Sequence, residues 1–501
     1  MIIIDGENLS PENVMAVARD LEEVRLSGEA LLKVRKSRKA LMDLVDSGRK
    51  IYGVNTGFGS LLNVAIKNED VVRLQSNLIR SHASGFGERL SDIHVRAMML
   101  VRANSLCKGY SGVRPELIDM LIFMLNRRIH PVVPRFGSVG ASGDLAPLAH
   151  VALAMTGEGF VVSGKGTRNS GEALAEAGIE PFSFREKEGV AFINGTSAIS
   201  GILTVEFVRS QEMFQDALSS AALSFEGLRG TDKAFTSWAV ESRGHPGQKL
   251  VAKIFRETLD GSKNIKTASI GKIQDPYTLR CIPQVYGAVL DTMEYARRVI
   301  TVEINSVTDN PLINGEEYVS VGNFHGEPVA FISDFMAIAL TDLGNMIERR
   351  LARMTDSSLS GLPAFLIKNS GFNSGYMIPQ YTAAALCNRN KVLCTPSSAD
   401  SIPTSANQED HVSMGTNAAI KLIEINDNLE GIVAIEYLLA SQAIEFIGDP
   451  ISGKCSMLHE TIRKTVPELL EDRPPYIDIE KIVELMRTGI LRKESGKFFK
   501  D

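Results

Sequence analysis

The sequence of 501 residues lacks several features that mark common classes of protein. Its five cysteines are an odd number without metal-site spacing: Cys107, Cys281, Cys387, Cys394 and Cys455. The net charge is −6 and no basic run is present, so nucleic acid is not an expected partner. The N-terminus has no secretory pattern, and the uncharged residues 369–388 are too broken by Gly, Asn, Ser and Pro to suggest a membrane span. We therefore expect a reduced, cytoplasmic protein with no metal site and no membrane contact.

Aromatic residues are scarce, at 6% with a single Trp, whereas hydrophobic residues reach 44% and include 17 Met. This composition suits a helical protein better than a β-rich one. Apolar residues recur at helical spacing over residues 285–304, 331–354 and 416–446. Long amphipathic helices of this kind usually pack as a bundle, often across subunits.

The N-terminal part of the chain is more interrupted. Short helical patterns at residues 12–24, 93–107 and 115–126 alternate with Gly- and Pro-rich loops, and residues 160–162 form a possible strand. We therefore predict a mainly all-α protein. A loop-rich N-terminal domain, residues 1–200, would precede a long-helix bundle, residues 201–501.

The most informative segment is residues 137–150, Gly-Ser-Val-Gly-Ala-Ser-Gly-Asp-Leu-Ala-Pro-Leu-Ala-His. Asp144 is predicted to cap a helix that follows it, since Pro is tolerated in a first turn and apolar residues then recur at helical spacing. Before it, Ala141, Ser142 and Gly143 are small residues that allow the chain to fold tightly.

This segment resembles the signature of the aromatic amino acid ammonia-lyase family, and the similarity covers roughly residues 5 to 470. In that family the tripeptide cyclises and loses two waters, which creates the electrophile 4-methylidene-imidazol-5-one. The resemblance implies that the nitrogen of Gly143 reaches the carbonyl of Ala141 and that Ser142 loses its hydroxyl. Because this prosthetic group comes from the chain, no metal or diffusible cofactor is expected.

Three further motifs carry the resemblance in the first half of the chain. Tyr52, in residues 52–59, is implied in proton transfer near the leaving amine, although an ordinary turn tyrosine is the simpler interpretation. His82, in Ser-His-Ala, is implied to face the substrate side chain, and Asn194, in Asn-Gly-Thr, to lie beside substrate and prosthetic group. A structural histidine and an Asn-Gly turn are the corresponding alternatives.

A second strong signature is residues 274–281, Gln-Asp-Pro-Tyr-Thr-Leu-Arg-Cys. Tyr277 and Arg280 are three residues apart and would share a face of one helical turn, which Asp275 and the following Pro would cap. Arg280 can grip an α-carboxylate with two parallel hydrogen bonds. The resemblance implies that Tyr277 removes a β-proton and that Gln274 also contacts the substrate.

The remaining motifs bear on the pocket and the substrate. Phe324, in residues 322–328, is implied to pack near the prosthetic group, and His325 beside it is predicted to be structural. Residues 401–415 are similar to the histidine branch of the family, with Glu409 at a position where the phenylalanine and tyrosine branches carry Gln. A carboxylate pairs well with an imidazole, whereas beside a phenyl ring it would lose hydration without compensation. The other interpretation of Glu409 is a surface acidic residue.

The resemblance thus implies elimination of ammonia from L-histidine to give trans-urocanate, the first step of histidine degradation, with His82 and Glu409 orienting the imidazole. It also implies an all-helical homotetramer whose active sites are built from several subunits. Whether the substrate amine or its ring adds to the electrophile stays open at this stage. So do two other functions: another aromatic amino acid lyase or aminomutase, and a non-enzymatic scaffold, although a scaffold would be expected to lose the tripeptide or Tyr277.

Overall fold

The computed structural model describes residues 1–47, 70–164, 166–270 and 272–492. It is 62% helical, with 20 helices and little strand in the described residues, which confirms the predicted mainly all-α class. The helices are α1 (Pro11–Ala18), α2 (Gly28–Asp46), α3 (Val71–His82), α4 (Asp92–Cys107), α5 (Pro115–Asn126), α6 (Leu145–Met155), α7 (Ser170–Glu176), α8 (Glu188–Ile193), α9 (Ser197–Gly227), α10 (Ser237–Glu241), α11 (Pro246–Leu259), α12 (Lys263–Ala268), α13 (Tyr277–Arg280), α14 (Ile282–Glu303), α15 (Glu327–Thr355), α16 (Ser357–Ser360), α17 (Met377–Leu393), α18 (Gly415–Ile444), α19 (Gly453–Arg463) and α20 (Pro475–Arg487). Short 3-10 helices occupy Asp232–Phe235, Ala364–Leu366 and Ser405–Asn407.

The chain divides into two compact units. The first unit contains Met1–Val208, Ala296–Asp334 and Pro396–Leu422, and the second contains Arg209–Tyr295, Phe335–Thr395 and the chain from Ile423 onward. The first change of unit therefore falls eight residues after the predicted boundary at residue 200, and two later stretches of chain return to the first unit. Helices α9, α14, α15 and α18 each contain one of these changes.

All the described strands belong to the first unit: β1 (Ile2–Ile4), β2 (Val24–Leu26), β3 (Phe86–Arg89), β4 (His130–Pro131), β5 (Pro134–Phe136), β6 (Phe160–Ser163), β7 (Gly166–Asn169), β8 (Leu312–Asn314) and β9 (Glu317–Val319). They pair as β1 with β2 in parallel, and as antiparallel β3–β5, β4–β6–β7 and β8–β9. The strand predicted at residues 160–162 is confirmed as β6.

Helix α4 forms the centre of the first unit, where residues 94–107 are all buried and α1 and α5 pack against it. Even Arg96 is buried there, and its guanidinium donates to the carbonyls of Val17 at 2.7 Å and Leu125 at 2.8 Å. Helices α4 and α5 confirm two predicted helices. The third, predicted over residues 12–24, is wrong beyond Ala18, because Leu21 adopts a left-handed φ of 61° and Val24 pairs with Ile2 in the sheet.

The second unit has a buried polar network in its core. Arg350 Nε lies 2.5 Å from Glu436 Oε1, and both side chains are fully buried. The hydroxyls of Ser220 and Ser224 donate to the same carboxylate at 2.7 and 2.8 Å, while Arg350 Nη2 donates to the hydroxyl of Tyr286 at 2.5 Å. The charges of the ion pair are therefore compensated inside the unit.

The long helices predicted from periodicity are confirmed as α14, α15 and α18. Among the described residues, α15 alone is long and apolar enough to cross a membrane, with a mean hydropathy of 1.3 over its most apolar window. However, 61% of that window is buried inside the structure. Core helices of large proteins pass the same test, so this is weak evidence for a membrane span.

Candidate active site

The Ala-Ser-Gly turn is held against the loop that follows α8. Gly143 has a φ of 73°, and a Cβ on it would lie 2.3 Å from the carbonyl oxygen of Gly195. The two glycines form a parallel bridge, and the backbone nitrogen of Asp144 donates to the same carbonyl at 2.8 Å. Both the left-handed backbone and the missing space require glycine at position 143.

Ser142 contacts two other predicted site residues, Asn194 and Glu409, and all three residues belong to the first unit. Its hydroxyl donates to Glu409 Oε1 at 2.5 Å, and Asn194 Nδ2 donates to its carbonyl oxygen at 3.1 Å. The second carboxylate oxygen of Glu409 accepts the hydroxyl of Thr404 at 2.5 Å. Asn194 is buried, and its Oδ1 has no hydrogen-bond partner in the described part of the chain. The structure therefore brings Ser142, Asn194 and Glu409 together, although Glu409 follows Ser142 by 267 residues.

Asp144 differs from its predicted role. It does precede α6, but its side chain makes no capping bond to that helix. Instead, Oδ2 accepts the backbone nitrogens of Ala198 at 2.9 Å and Ile199 at 2.8 Å, in the first turn of α9. Oδ1 accepts the hydroxyls of Ser138 at 3.1 Å and Thr416 at 2.8 Å. Burial raises the pKa of Asp144 to about 6, against the lowering effect of these hydrogen bonds.

His82 is the last residue of α3, and its protonation can be inferred from its contacts. Its Nδ1 lies 2.8 Å from the carbonyl oxygen of Leu78, which can only accept, so Nδ1 carries the proton. Burial lowers the pKa of His82, while the Leu78 contact and the charge of Glu409 act in the opposite direction. A neutral ring of this tautomer leaves Nε2 as a hydrogen-bond acceptor.

Phe324 lies half-buried in the turn before α15, in the first unit. His325, next to it, has Nε2 3.4 Å from His411 Nδ1, and Glu327 Oε2 lies 3.9 Å from His325 Nδ1. Donor atoms of these two histidines and Glu327 lie within 4.8 Å of one another, a spacing compatible with a metal ion. The predicted absence of a metal site therefore stays a prediction.

Gln274, Tyr277 and Arg280 belong to the second unit. Tyr277 and Arg280 form the single turn of α13, with the guanidinium carbon 4.5 Å from the centre of the Tyr277 ring, as their spacing predicted. Gln274 is exposed, and so is Tyr277, at 71%. Arg280 Nε is buried without a hydrogen-bond partner in the described residues. An unused guanidinium donor of this kind suits the binding of a carboxylate.

The cap predicted for this turn is confirmed at Pro276, which occupies the N-cap position of α13, and is wrong for Asp275. Asp275 makes no capping bond to α13. Its carboxylate accepts the backbone nitrogen of Thr231 at 2.6 Å and pairs with Lys272 Nζ at 2.5 Å. Asp275 therefore anchors the loop before α13 rather than the helix itself.

Two site features lie beyond what the sequence predicted. The role of Asp144 as an anchor between α6, α9 and α18 was missed, since no local pattern links it to Thr416. Thr404 was also missed, although it lies only five residues before Glu409 in the same motif. The predicted Tyr52 lies outside the described residues.

Known proteins share this arrangement of the chain. A family model described as aromatic amino acid lyase matches residues 9–464. A protein of Thermoplasma volcanium named "Probable histidine ammonia-lyase" is 59% identical over 491 residues, which cover 98% of this chain and 99% of that protein. The crystal structure of histidine ammonia-lyase from Trypanosoma cruzi is 38% identical with a TM-score of 0.93, covering 100% of this chain and 96% of its own.

A tyrosine aminomutase from Streptomyces globisporus is equally similar in structure. It has a TM-score of 0.94 and 37% identity, with 98% of both chains covered. Structural likeness alone therefore does not separate substrates within this group. The match to the family model and the near full-length relatives do establish the family: the chain belongs to the aromatic amino acid lyases.

Proposed function

We propose that this protein eliminates ammonia from L-histidine and releases trans-urocanate, the first step of histidine degradation. The observation that carries the proposal is the carboxylate of Glu409, whose Oε1 lies 2.5 Å from the Ser142 hydroxyl. A charged carboxylate beside an apolar ring would lose hydration without return, whereas an imidazole N–H gives it a partner. The name of the Trypanosoma cruzi relative supports the same substrate.

The tripeptide fits the prosthetic group 4-methylidene-imidazol-5-one. Gly143 occupies a left-handed turn with no space for a Cβ, and the buried Oδ1 of Asn194 has no partner among the described residues. Ala141 is buried, whereas Ser142, which would lose its hydroxyl, is half-buried and open to water. When formed, the group supplies an electrophile that makes the amino group a better leaving group. The proposal includes no metal and no diffusible cofactor.

The chain's own residues bind and orient the substrate. His82 Nε2 and the Glu409 carboxylate are both acceptors, so a neutral imidazole can donate its single N–H to either of them and a protonated imidazolium can donate to both. Arg280 binds the α-carboxylate through the fork of its guanidinium, which includes the buried Nε that has no partner among the described residues. Tyr277 removes the β-proton, and Asn194 holds the site around Ser142 through its amide.

We further propose a homotetramer in the cytoplasm in which Tyr277 and Arg280 complete the site of a neighbouring subunit. The high exposure of Tyr277 supports this arrangement, and the five free cysteines suit a reducing compartment. Co-expression of Ser142→Ala with Arg280→Ala tests it, because mixed tetramers would contain some complete sites. If tetramers shown to contain both variants have no activity, the proposal of active sites shared between subunits is contradicted.

The experiment that tests the function is ultraviolet detection of urocanate from L-histidine, with phenylalanine and tyrosine assayed in parallel. We expect the wild-type protein to turn over histidine but neither phenylalanine nor tyrosine, and the Ser142→Ala variant to turn over none of the three. Glu409→Gln nearly preserves volume but removes the charge, so histidine turnover should fall by about 10²-fold, the scale of one deleted electrostatic contact. Products from tyrosine but not from histidine would instead indicate another lyase or an aminomutase.

A further inference from the structure

We propose that Asn194 and Glu409 also promote the formation of the prosthetic group, by polarising the Ser142 carbonyl and positioning the Ser142 hydroxyl. This inference rests on the proposed prosthetic group, but not on the identity of the substrate. The contacts that support it are those of the tripeptide as encoded, with the hydroxyl of Ser142 still in place.

Loss of water from Ser142 requires two bonds to break. The Cα–H bond gives up its proton to water, the Cα=Cβ bond forms, and the Cβ–Oγ bond breaks. The departing hydroxide takes a proton from water, so that one water is released in total. The second water comes from ring closure, in which the nitrogen of Gly143 attacks the carbonyl carbon of Ala141 and loses its proton. The carbonyl oxygen of Ala141 then leaves as water with that proton and the N–H proton of Ser142, and a C=N bond forms between the Ala141 carbon and the Ser142 nitrogen.

Asn194 is placed to assist the first bond cleavage. When the Cα proton leaves, negative charge develops on the carbonyl oxygen of Ser142, which accepts Asn194 Nδ2 at 3.1 Å. The orientation of the amide follows from chemistry, because only its nitrogen can donate to a carbonyl. Asn194 is buried, and a hydrogen bond to developing charge is stronger in such surroundings than in water. The amide therefore lowers the cost of removing the Cα proton.

Glu409 is a positioning residue for the second cleavage. Its Oε1 holds the leaving hydroxyl at 2.5 Å, while Thr404 holds the other carboxylate oxygen at 2.5 Å. This chain of contacts restricts rotation about the Cα–Cβ bond of Ser142 and keeps Oγ in one direction. Elimination is fastest when the breaking Cα–H and Cβ–Oγ bonds are aligned. An Oγ held in one direction therefore increases the fraction of time that Ser142 spends in the reactive geometry. A glutamine at position 409 retains a polar partner for the hydroxyl, whereas an alanine does not.

Intact-mass measurement of the full-length protein during expression tests the proposal, since each chain that has matured lacks the mass of two waters. Asn194→Asp keeps the shape but replaces the donor by an acceptor next to developing negative charge. We expect maturation to slow by about 10²-fold or more, the scale of a lost oxyanion donor. Glu409→Ala should slow it by roughly tenfold or more, and Glu409→Gln should restore the wild-type rate. Circular dichroism and thermal unfolding verify that each variant is folded.

The outcomes separate this inference from the proposed function. Asn194→Asp that matures at the wild-type rate overturns the role of Asn194, and equal rates for Glu409→Ala and Glu409→Gln overturn that of Glu409. If Asn194→Asp does not fold, the two Glu409 variants still decide the positioning role, and Asn194→Ala replaces it for the donor. Wild-type protein that lacks two waters but releases no urocanate contradicts the proposed substrate and leaves this inference standing.

Discussion

Asp144→Asn should change how stability depends on pH. The carboxyl is fully buried, and burial raises its pKa from 3.8 to about 6. A carboxyl with a higher pKa in the folded state binds its proton more tightly there, so it stabilises the fold below pH 4 and this contribution is lost as pH rises to about 6. The difference of about two pKa units corresponds to about 3 kcal/mol of stability. Asparagine does not ionise, so the variant should not show this loss.

The magnitude can be tested over an accessible pH range. With pKa values of 3.8 and about 6, linkage predicts that the variant gains on the order of 1 kcal/mol relative to the parent between pH 5 and pH 8. Urea unfolding at each pH gives the two free energies of unfolding, provided that the m-values agree. Both proteins should also carry Ser142→Ala, so that formation of the prosthetic group does not differ between them.

Asp144→Ala is the matched control for the hydrogen bonds. It removes the acceptor of the backbone nitrogens of Ala198 and Ile199, and each unsatisfied buried donor costs about 1–3 kcal/mol. Alanine should therefore destabilise at every pH, whereas asparagine keeps an oxygen for α9. A stability difference between Asp144→Asn and its parent that is independent of pH, or that moves against the variant as pH rises, would refute the reasoning.

Three further predictions concern single residues. Glu436→Gln removes the negative charge that pairs with the buried Arg350 and should lower the free energy of unfolding by about 3–5 kcal/mol. Glu424→Gln breaks an exposed ion pair with Arg389 and should cost about 1 kcal/mol or less. Equal costs of the two variants in urea unfolding would contradict this reasoning. Gly143→Ala places a Cβ against the backbone of Gly195, so the prosthetic group should not form and the protein should have its encoded mass. A variant whose mass is lower by two waters would show that the turn tolerates a side chain. Arg280→Lys retains the charge but loses the fork, so kcat/KM for histidine should fall strongly; equal losses for histidine and histidinamide would exclude a carboxylate role.

The spacing of residues along the sequence predicted those features that depend on contacts between near neighbours in the chain. Helices α5, α14 and α15 follow apolar spacing, because one buried face specifies an amphipathic helix, and the same spacing predicted α4 and α18, which are buried over most of their surface. The Tyr277 and Arg280 pair also lies within one turn, where spacing decides contact. Prediction failed at the end of α1, because the pairing of Val24 with Ile2 is a contact of the folded sheet that no helical periodicity contains.

The sequence by itself determined the mainly helical class and the chemical identity of the candidate site residues, since both depend on residue types and their near neighbours. Only the tertiary structure decided which of those residues meet. Aspartate is typical of helix caps, but the carboxylate of Asp144 instead accepts hydrogen bonds from the first turn of α9 and from the hydroxyl of Thr416. Those donors come close to it only in the folded chain. Likewise, Glu409 lies against Ser142 only because the fold joins segments 267 residues apart, a separation at which sequence spacing carries no geometric information.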